Sequence, residues 1–292
     1  MGRGRLMRYF RPSTLAEALD IRRDEDVVVI AGGTDVYPAY ATRRAWGDPT
    51  HKDVLDISGV AELRGVEDRG DHVRIGALAT WTDLVRADLP PLFDGMKDAA
   101  RRIGGMQVQN RGTVVGNACT ASPAGDGIPN LLALDAAFEI AGPSPARVPA
   151  GAFFTGYRAT ACDPRSIVTG VLVPKRGGRG RFVKLGARRY LVISVAMVAA
   201  TVETDDADRI TAARIAVGAC SSVARRLPAL EADLAGVPVA DAARVVAPGH
   251  LSGLAPIDDV RASAVYRTAA ARALVADCLA GFAPSAAGRR AA

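Results

Sequence analysis

Hydrophobic and polar positions alternate along this chain with two different periods. Residues 27–30, VVVI, are an unbroken β-branched run, the pattern of a strand covered on both faces. Residues 54–57, in DVLDIS, predict a second strand. HVRIGALAT, residues 72–80, alternates apolar at Val73, Ile75 and Ala77 and predicts a third. Ahead of them, Thr14 and Glu17 have the spacing of a capping box that starts a short helix in LAEAL. TDLVRADLPPLFDGMKDAARRIGG is mainly helical, broken at Pro90-Pro91 and ended by Gly104-Gly105. NRGTVVGNACTASPAGDG is dense in glycine and small residues and reads as a loop with special backbone angles, after which IPNLLALDA is helical.

AFEIAG and SIVTGVLVP are further strand candidates. KRGGRGR, residues 175–181, then interrupts the pattern and marks a domain boundary. The remainder predicts three strands, RFVKLGARRY, VISVAMVAATVET and RITAARIAVGA. A short helix in LPALEADLAG follows. A long Ala-rich one lies in DVRASAVYRTAAARALVADCLAGF, with Val265, Ala269, Arg272 and Ala276 among its faces. No repeat emerges. Strands and helices mix without strict βαβ alternation, so the expected class is α+β.

Composition narrows the function classes. At 292 residues the chain is long enough for two or three packed domains, and 49% hydrophobic with 23% charged residues is ordinary for a globular protein. The formal charge of +6 is scattered, with no aromatic platform and no recognition helix, so no nucleic-acid partner is expected. Cys119, Cys162, Cys220 and Cys278 form no CxxC pair, which argues against zinc or an iron–sulfur cluster within the chain. Reduced thiols, the absence of an apolar core in MGRGRLMRYF, and an apolar run at 190–202 too short to span a bilayer all point to the cytoplasm. His51, His72 and His250 each stand alone, and no catalytic base or nucleophile is expected.

The candidate chemistry lies in two glycine loops. Gly32-Gly33-Thr34 follows the strand at 27–30, and Thr113-Val114-Val115-Gly116-Asn117 lies far away in sequence. Glycine lets backbone approach a ligand and present its N–H groups, so two such loops suit a ligand with two linked phosphates. Neither loop has the GxxxxGK[ST] or GxGxxG spacing, and a strand–GG–T loop is equally a plain turn. Taken alone, the residues reach a phosphate binder or a turn.

Five segments in order carry more. MRYFRPSTLAEAL, AGGTD, NRGTVVGNACTASPAGDGIPNLLALDA, VPKRGGRGRFVKLGARRYLVISVAMVAA and PIDDVRASAVYR together resemble the flavin-binding medium subunit of the molybdenum hydroxylase family. That family includes carbon monoxide dehydrogenase and xanthine dehydrogenase. The resemblance implies a two-subdomain FAD-binding fold of the PCMH type over 1–57 and 58–176. The first would be a small α/β unit and the second a larger mixed-sheet unit, with FAD between them. A smaller α/β domain with a three-stranded antiparallel sheet would occupy 177–292.

It further implies that FAD contacts Val29, Ile30, Ala31, Gly32, Gly33, Thr34, Asp35 and Val36 on the first loop. Thr113, Val114, Val115, Gly116 and Asn117 would hold it on the second, with Ile103 also in contact. Asp126 would meet the adenosine half, and Val168 and Lys184 would lie near the flavin. Tyr190 would either cover the flavin or be a strand-end core residue. Val115 stands where the family has glycine, Arg111 is displaced from the family's Q-I-R-N, and Tyr190-Leu191-Val192 replace an acidic position.

The implied activity is electron transfer. FAD on this chain would take electrons from two [2Fe–2S] clusters on a small subunit and pass them to an external acceptor. A large subunit would hold the molybdopterin cofactor and oxidise the substrate, in a dimer of heterotrimers. Two alternatives are a stand-alone FAD-dependent reductase of the UDP-N-acetylenolpyruvoylglucosamine reductase type and a flavin-free scaffold or basic nucleic-acid module.

Overall fold

A computed structural model describes residues 7–48 and 50–283. Residues 1–6 and 284–292, which include the start of the basic N-terminal stretch, lie outside the described residues. Among the described residues there are three larger sheets and one two-stranded ribbon, Phe154–Gly156 with Ala159–Thr160. The first is parallel, in the order Tyr9–Phe10, Asp53–Asp56, Val27–Ile30. Val27 and Ile30 are buried, and the strand ends at Ala31, placing the first glycine loop at its carboxyl end. The helix Leu15–Asp24 starts as expected at Thr14, whose hydroxyl accepts from the Glu17 N–H at 3.2 Å. The capping box is shifted by one residue, because the Glu17 carboxylate reaches the N–H of Ser13 rather than that of Thr14.

The second sheet has five strands in the order Val66–Asp68, His72–Gly76, Ile167–Pro174, Ala137–Ala141, Ala146–Pro149. All four of its pairings are antiparallel, so it is not the mixed sheet that the resemblance implied. Its central strand Ile167–Pro174 is the apolar SIVTGVLVP run, buried over all but its last residue. Phe138 stacks on Phe153 at 3.7 Å, and Phe154 meets both edge-on. One core spans these first two sheets.

The third sheet, Arg179–Leu185, Ala196–Thr204, Ile210–Gly218, is the antiparallel meander expected from the sequence. A two-residue strand, Arg225–Arg226, adds a fourth member at its edge. The helix Ala264–Ala280 covers it with Ala271, Val275, Cys278 and Leu279, whereas Val265 is 82% exposed.

The seam between the second and third sheets is close because its residues are small. A Cβ on Gly180 would sit 2.2 Å from the Leu92 carbonyl oxygen, and one on Gly95 would sit 2.7 Å from the Arg181 backbone. Helix Asp94–Ala100 therefore lies directly against strand Arg179–Leu185. A small cluster of Ala99, Ala133, Phe182, Met197 and Ala199 fills the seam. Asp135 ties its rim, accepting from Arg214 Nε at 2.6 Å, Arg226 Nη1 at 2.7 Å and Arg176 Nη1.

Local detail differs from the sequence reading at two places that shape the site. Residues Val36–Ala45 form a helix straight after the first glycine loop, tolerating Pro38 in its first turn. The second glycine stretch is not a loop: Val114–Thr120 is a short helix capped by Thr113, whose Oγ accepts from Gly116 N–H at 3.0 Å. It ends at Ala121 in the left-handed conformation, φ 47°.

A cleft built from two interlocked glycine segments

The two glycine segments touch. A Cβ on Gly32 would lie 1.9 Å from the Arg111 carbonyl oxygen and 3.1 Å from Gly112 Cα. Thr34 Oγ1 lies 3.2 Å from where a Gly112 Cβ would stand. Gly33 has φ +73°, a conformation that disfavours every side chain. The Arg111–Val114 backbone is held from behind. Trp81 N–H donates to Gly112 O at 3.1 Å, and Val114 N–H donates to Ala79 O at 3.1 Å.

The interlock leaves backbone donors free. Among the described residues, no hydrogen bond engages the N–H of Gly32, Gly33, Thr34 or Asp35. In the second segment most donors are used. Gly116 N–H goes to the Thr113 hydroxyl, Asn117 N–H to Thr113 O at 3.0 Å and Val114 N–H to Ala79 O, and among the described residues the N–H groups of Thr113 and Val115 have no acceptor. The anion cradle is therefore asymmetric, with four open amides on the first loop and two on the second. Asn117 Oδ1 is buried with no hydrogen-bond partner, an acceptor that a ligand hydroxyl or N–H would satisfy.

A cleft of about 600 Å³ opens over this cradle, within the range of small-molecule sites. Twelve of the sequence-predicted residues line it: Val29, Ile30, Ala31, Gly32, Gly33, Thr34, Asp35, Val36, Ile103, Thr113, Gly116 and Asn117. It also contains residues that sequence reasoning missed, among them Trp81, Val108, Cys119 and three cations, Arg43, Lys52 and Arg158. The cations suit a diphosphate. They were not legible because each lies in an otherwise unremarked polar stretch and converges only through the fold.

A second chamber of about 220 Å³ adjoins the cleft, sharing Val29, Ala31, Gly116 and Cys119 with it. Val115 and Val168 line this chamber, along with Ile57, Ala77, Arg22 and Cys162. Arg22 donates to the Val27 carbonyl while its buried Nε has no partner. Val114 is buried in the core and lines neither space. Cys119 faces the cleft interior, reachable from solvent yet ringed by protein. That desolvation, with Cys162 nearby, pushes its thiol up to about 12.

Asp126 and Lys184 are brought together by the fold. Lys184 Nζ bonds Asp126 Oδ2 at 2.6 Å, with both side chains at most 8% exposed. Ser194 Oγ donates to Asp126 Oδ1 at 2.6 Å, and Lys184 Nζ also donates to Val192 O at 3.2 Å. Burial pushes the Asp126 carboxyl up, opposed by Lys184 and Ser194. Asp126 and Lys184 thus mark one place, and Val168 lies apart from them in the second chamber. The flanking Gly125 and Gly127 pack on Asn117, and Gly127 also on Trp81, which sets the pair behind that wall of the cleft. Tyr190 is 59% exposed on the loop after Leu185, beside the Arg189 guanidinium. It is not a core residue, and it does not line the cleft.

A glycine loop at the end of a parallel sheet, interlocked with a second glycine segment beside a cleft, is the architecture of a protein that binds a phosphate-bearing ligand. Residues 5–176 match the family described as the FAD binding domain in molybdopterin dehydrogenase. Residues 181–281 match the CO dehydrogenase flavoprotein C-terminal domain. The chain is 32% identical to the nicotine 6-hydroxylase medium subunit of Paenarthrobacter nicotinovorans over 268 residues, 89% of this chain and 92% of that one. It is 30% identical to the carbon monoxide dehydrogenase medium chain of Hydrogenophaga pseudoflava, over 91% of this chain and 93% of that one. A solved structure of carbon monoxide dehydrogenase from Hydrogenophaga pseudoflava superposes with a TM-score of 0.82 at 28% identity, covering 94% and 96% of the two chains. The chain therefore belongs to the FAD-binding family of molybdopterin dehydrogenases, and its cofactor is FAD. The match over 181–281 favours this membership over a stand-alone reductase of the UDP-sugar type. Among the described residues no helix is long and apolar enough to cross a membrane.

Proposed function

We propose that this chain carries FAD as the electron-transfer subunit of a molybdenum-containing hydroxylase. In that reading it receives electrons from [2Fe–2S] clusters on a small subunit and passes them to an external acceptor. A large subunit holds the molybdopterin cofactor, the assembly is a dimer of heterotrimers, and it works in the cytoplasm. The chain divides at about 57 and 176 into two FAD-binding parts and a C-terminal domain.

The observation that carries the reading is the interlock of Gly32 with Arg111–Gly112, beside a cleft lined by Gly32–Asp35, whose amides have no hydrogen bond among the described residues. These amides and the Val115 N–H hold the diphosphate, with Arg43, Lys52 and Arg158 adding positive charge. The apolar second chamber takes the adenosine half, with Val168 on its wall. The redox ring lies toward Ile103, Asn117 and the Asp126–Lys184 pair.

Bound FAD supplies a ring that accepts electrons singly or in pairs. The chain itself contributes binding, orientation and charge. Lys184 offers a cation that favours added negative charge nearby, and Asp126 and Ser194 fix where that cation stands.

The test is isolation of the native assembly through a tag on this chain, followed by assay for flavin, molybdenum and iron. One FAD per chain, with molybdenum and iron co-purifying, is the expected result. A colourless assembly, or a flavoprotein free of molybdenum and iron, would overturn the proposal.

A further inference from the structure

Arg267 is the fourth residue of helix Ala264–Ala280, yet it is 3% exposed and points into the protein. Its guanidinium joins three separate segments. Nη1 donates to Val195 O at 2.6 Å and to Ala219 O at 3.0 Å, and Nη2 donates to Asp259 Oδ1 at 2.6 Å. Burying an arginine so deeply is costly unless its fork is well used, and here it serves mostly backbone carbonyls.

The important bond is the one to Val195. Residues 186–195 form an irregular connection between strands Arg179–Leu185 and Ala196–Thr204, and Leu191 holds a left-handed φ of 51°. Few bonds fix this connection. Arg188 binds Leu191 O, Val195 N–H donates to Leu185 O at 2.7 Å, and Arg267 grips the Val195 carbonyl. The same connection supplies both remaining partners of the Asp126–Lys184 pair, Ser194 Oγ to the carboxylate and Val192 O to the ammonium. It also reaches the segment that follows Ile103, where Leu191 Cδ2 lies 3.5 Å from the position of a Gly105 Cβ. The contacts therefore run unbroken from Asp259 through Arg267, Val195 and Ser194 to Asp126 and Lys184.

We propose that Arg267 is a positioning residue for the redox end of the cleft, setting the charge that Asp126 and Lys184 present to the flavin. The inference rests on the reading that Lys184 stands beside the flavin ring. Arg267 touches neither ligand nor pair. It acts by pinning the backbone on which Ser194 and Val192 are mounted. With the pin loosened, Asp126 loses the Ser194 hydroxyl and Lys184 loses the Val192 carbonyl, so the carboxylate's charge is less compensated.

The experiment reads the flavin midpoint potential in the assembled protein for wild type, Lys184→Gln, Arg267→Lys and the double variant. Lys184→Gln lowers the potential by removing the cation. Arg267→Lys, which keeps the charge but not the fork, is expected to lower it by at least half as much. The double variant should move no further than Lys184→Gln alone, because both changes act through one pair. A wild-type potential in Arg267→Lys, whatever its melting temperature, overturns the inference and leaves FAD binding intact. An unchanged potential in Lys184→Gln removes the underlying reading, and the inference with it. Should Arg267→Lys not accumulate, Ser194→Ala breaks the same link without touching the guanidinium, and an unchanged potential there is equally fatal.

Discussion

Gly32→Ala is the sharpest probe of the cradle, because the structure fixes what one methyl group would meet. The added Cβ would stand 1.9 Å from the Arg111 carbonyl oxygen and 2.7 Å from its carbon, both backbone atoms. Ordinary contact begins at 3.4 Å, so the two segments must part by about 1.5 Å in a region packed as tightly as a crystal. The second segment cannot yield easily. Gly112 O accepts from Trp81, Gly112 N–H donates to Val108 O at 2.6 Å, and Val114 donates to Ala79. The first loop must therefore recede, taking the open amides of Gly32–Asp35 out of register with Val115. Losing two amide contacts to a charged diphosphate, at about 1.5–3 kcal/mol each, weakens FAD binding by about 3–6 kcal/mol. At about 1.4 kcal/mol per decade, that is roughly a 10²- to 10⁴-fold rise in Kd. Titrating the FAD-free variant with FAD, followed by flavin fluorescence, measures it directly. The core around Val198, Ile215 and Val275 lies in the third sheet and its covering helix, so a far-ultraviolet melt should still show it folded. A Gly32→Ala protein with wild-type FAD affinity would refute the interlock as the basis of binding.

Two further outcomes are expected. Cys119 lines both the cleft and the second chamber, so maleimide labelling of this thiol in the FAD-free protein should be slow, its pKa standing at about 12, and should fall further once FAD is added; equal labelling with and without FAD, read by peptide mass spectrometry, would contradict the placement. Asp259 supplies a pH signature. Desolvation pulls its carboxyl up, but the Arg261 amide, the Arg267 guanidinium and the Ala262 amide outweigh it and hold the group at about 2. Its folded value lies below its ordinary 3.8, so its contribution to stability is full above that value and is lost as pH falls through about 2. The stability gap between wild type and Asp259→Asn, measured by urea denaturation, should therefore be complete at pH 7 and shrink between about pH 4 and pH 2. A gap independent of pH would show that the carboxylate charge is not what holds Arg267.

What the sequence by itself determined is whatever local rules control. The β-branched run at 27–30 had to be a strand, SIVTGVLVP was a strand candidate, and Thr14 had to cap a helix, because side-chain sterics and nearest hydrogen bonds settle these within a few residues. The first glycine loop was legible as unusual backbone for the same reason, whereas the second stretch folds as a capped helix. Their order along the chain, with the other motifs, was enough to point to FAD. What only the tertiary structure decided is which of those groups are free to act. Thr113 spends the Gly116 amide on its own helix, leaving the first loop to supply most of the cradle. Asp126 and Lys184, 58 residues apart, form one ion pair. Val168 turns into a separate chamber, and Arg43, Lys52 and Arg158 converge on the cleft from three stretches that share no pattern. Hydrogen-bond donors and charges are consumed by whichever partner packing brings within about 3 Å, and packing is a property of the whole chain.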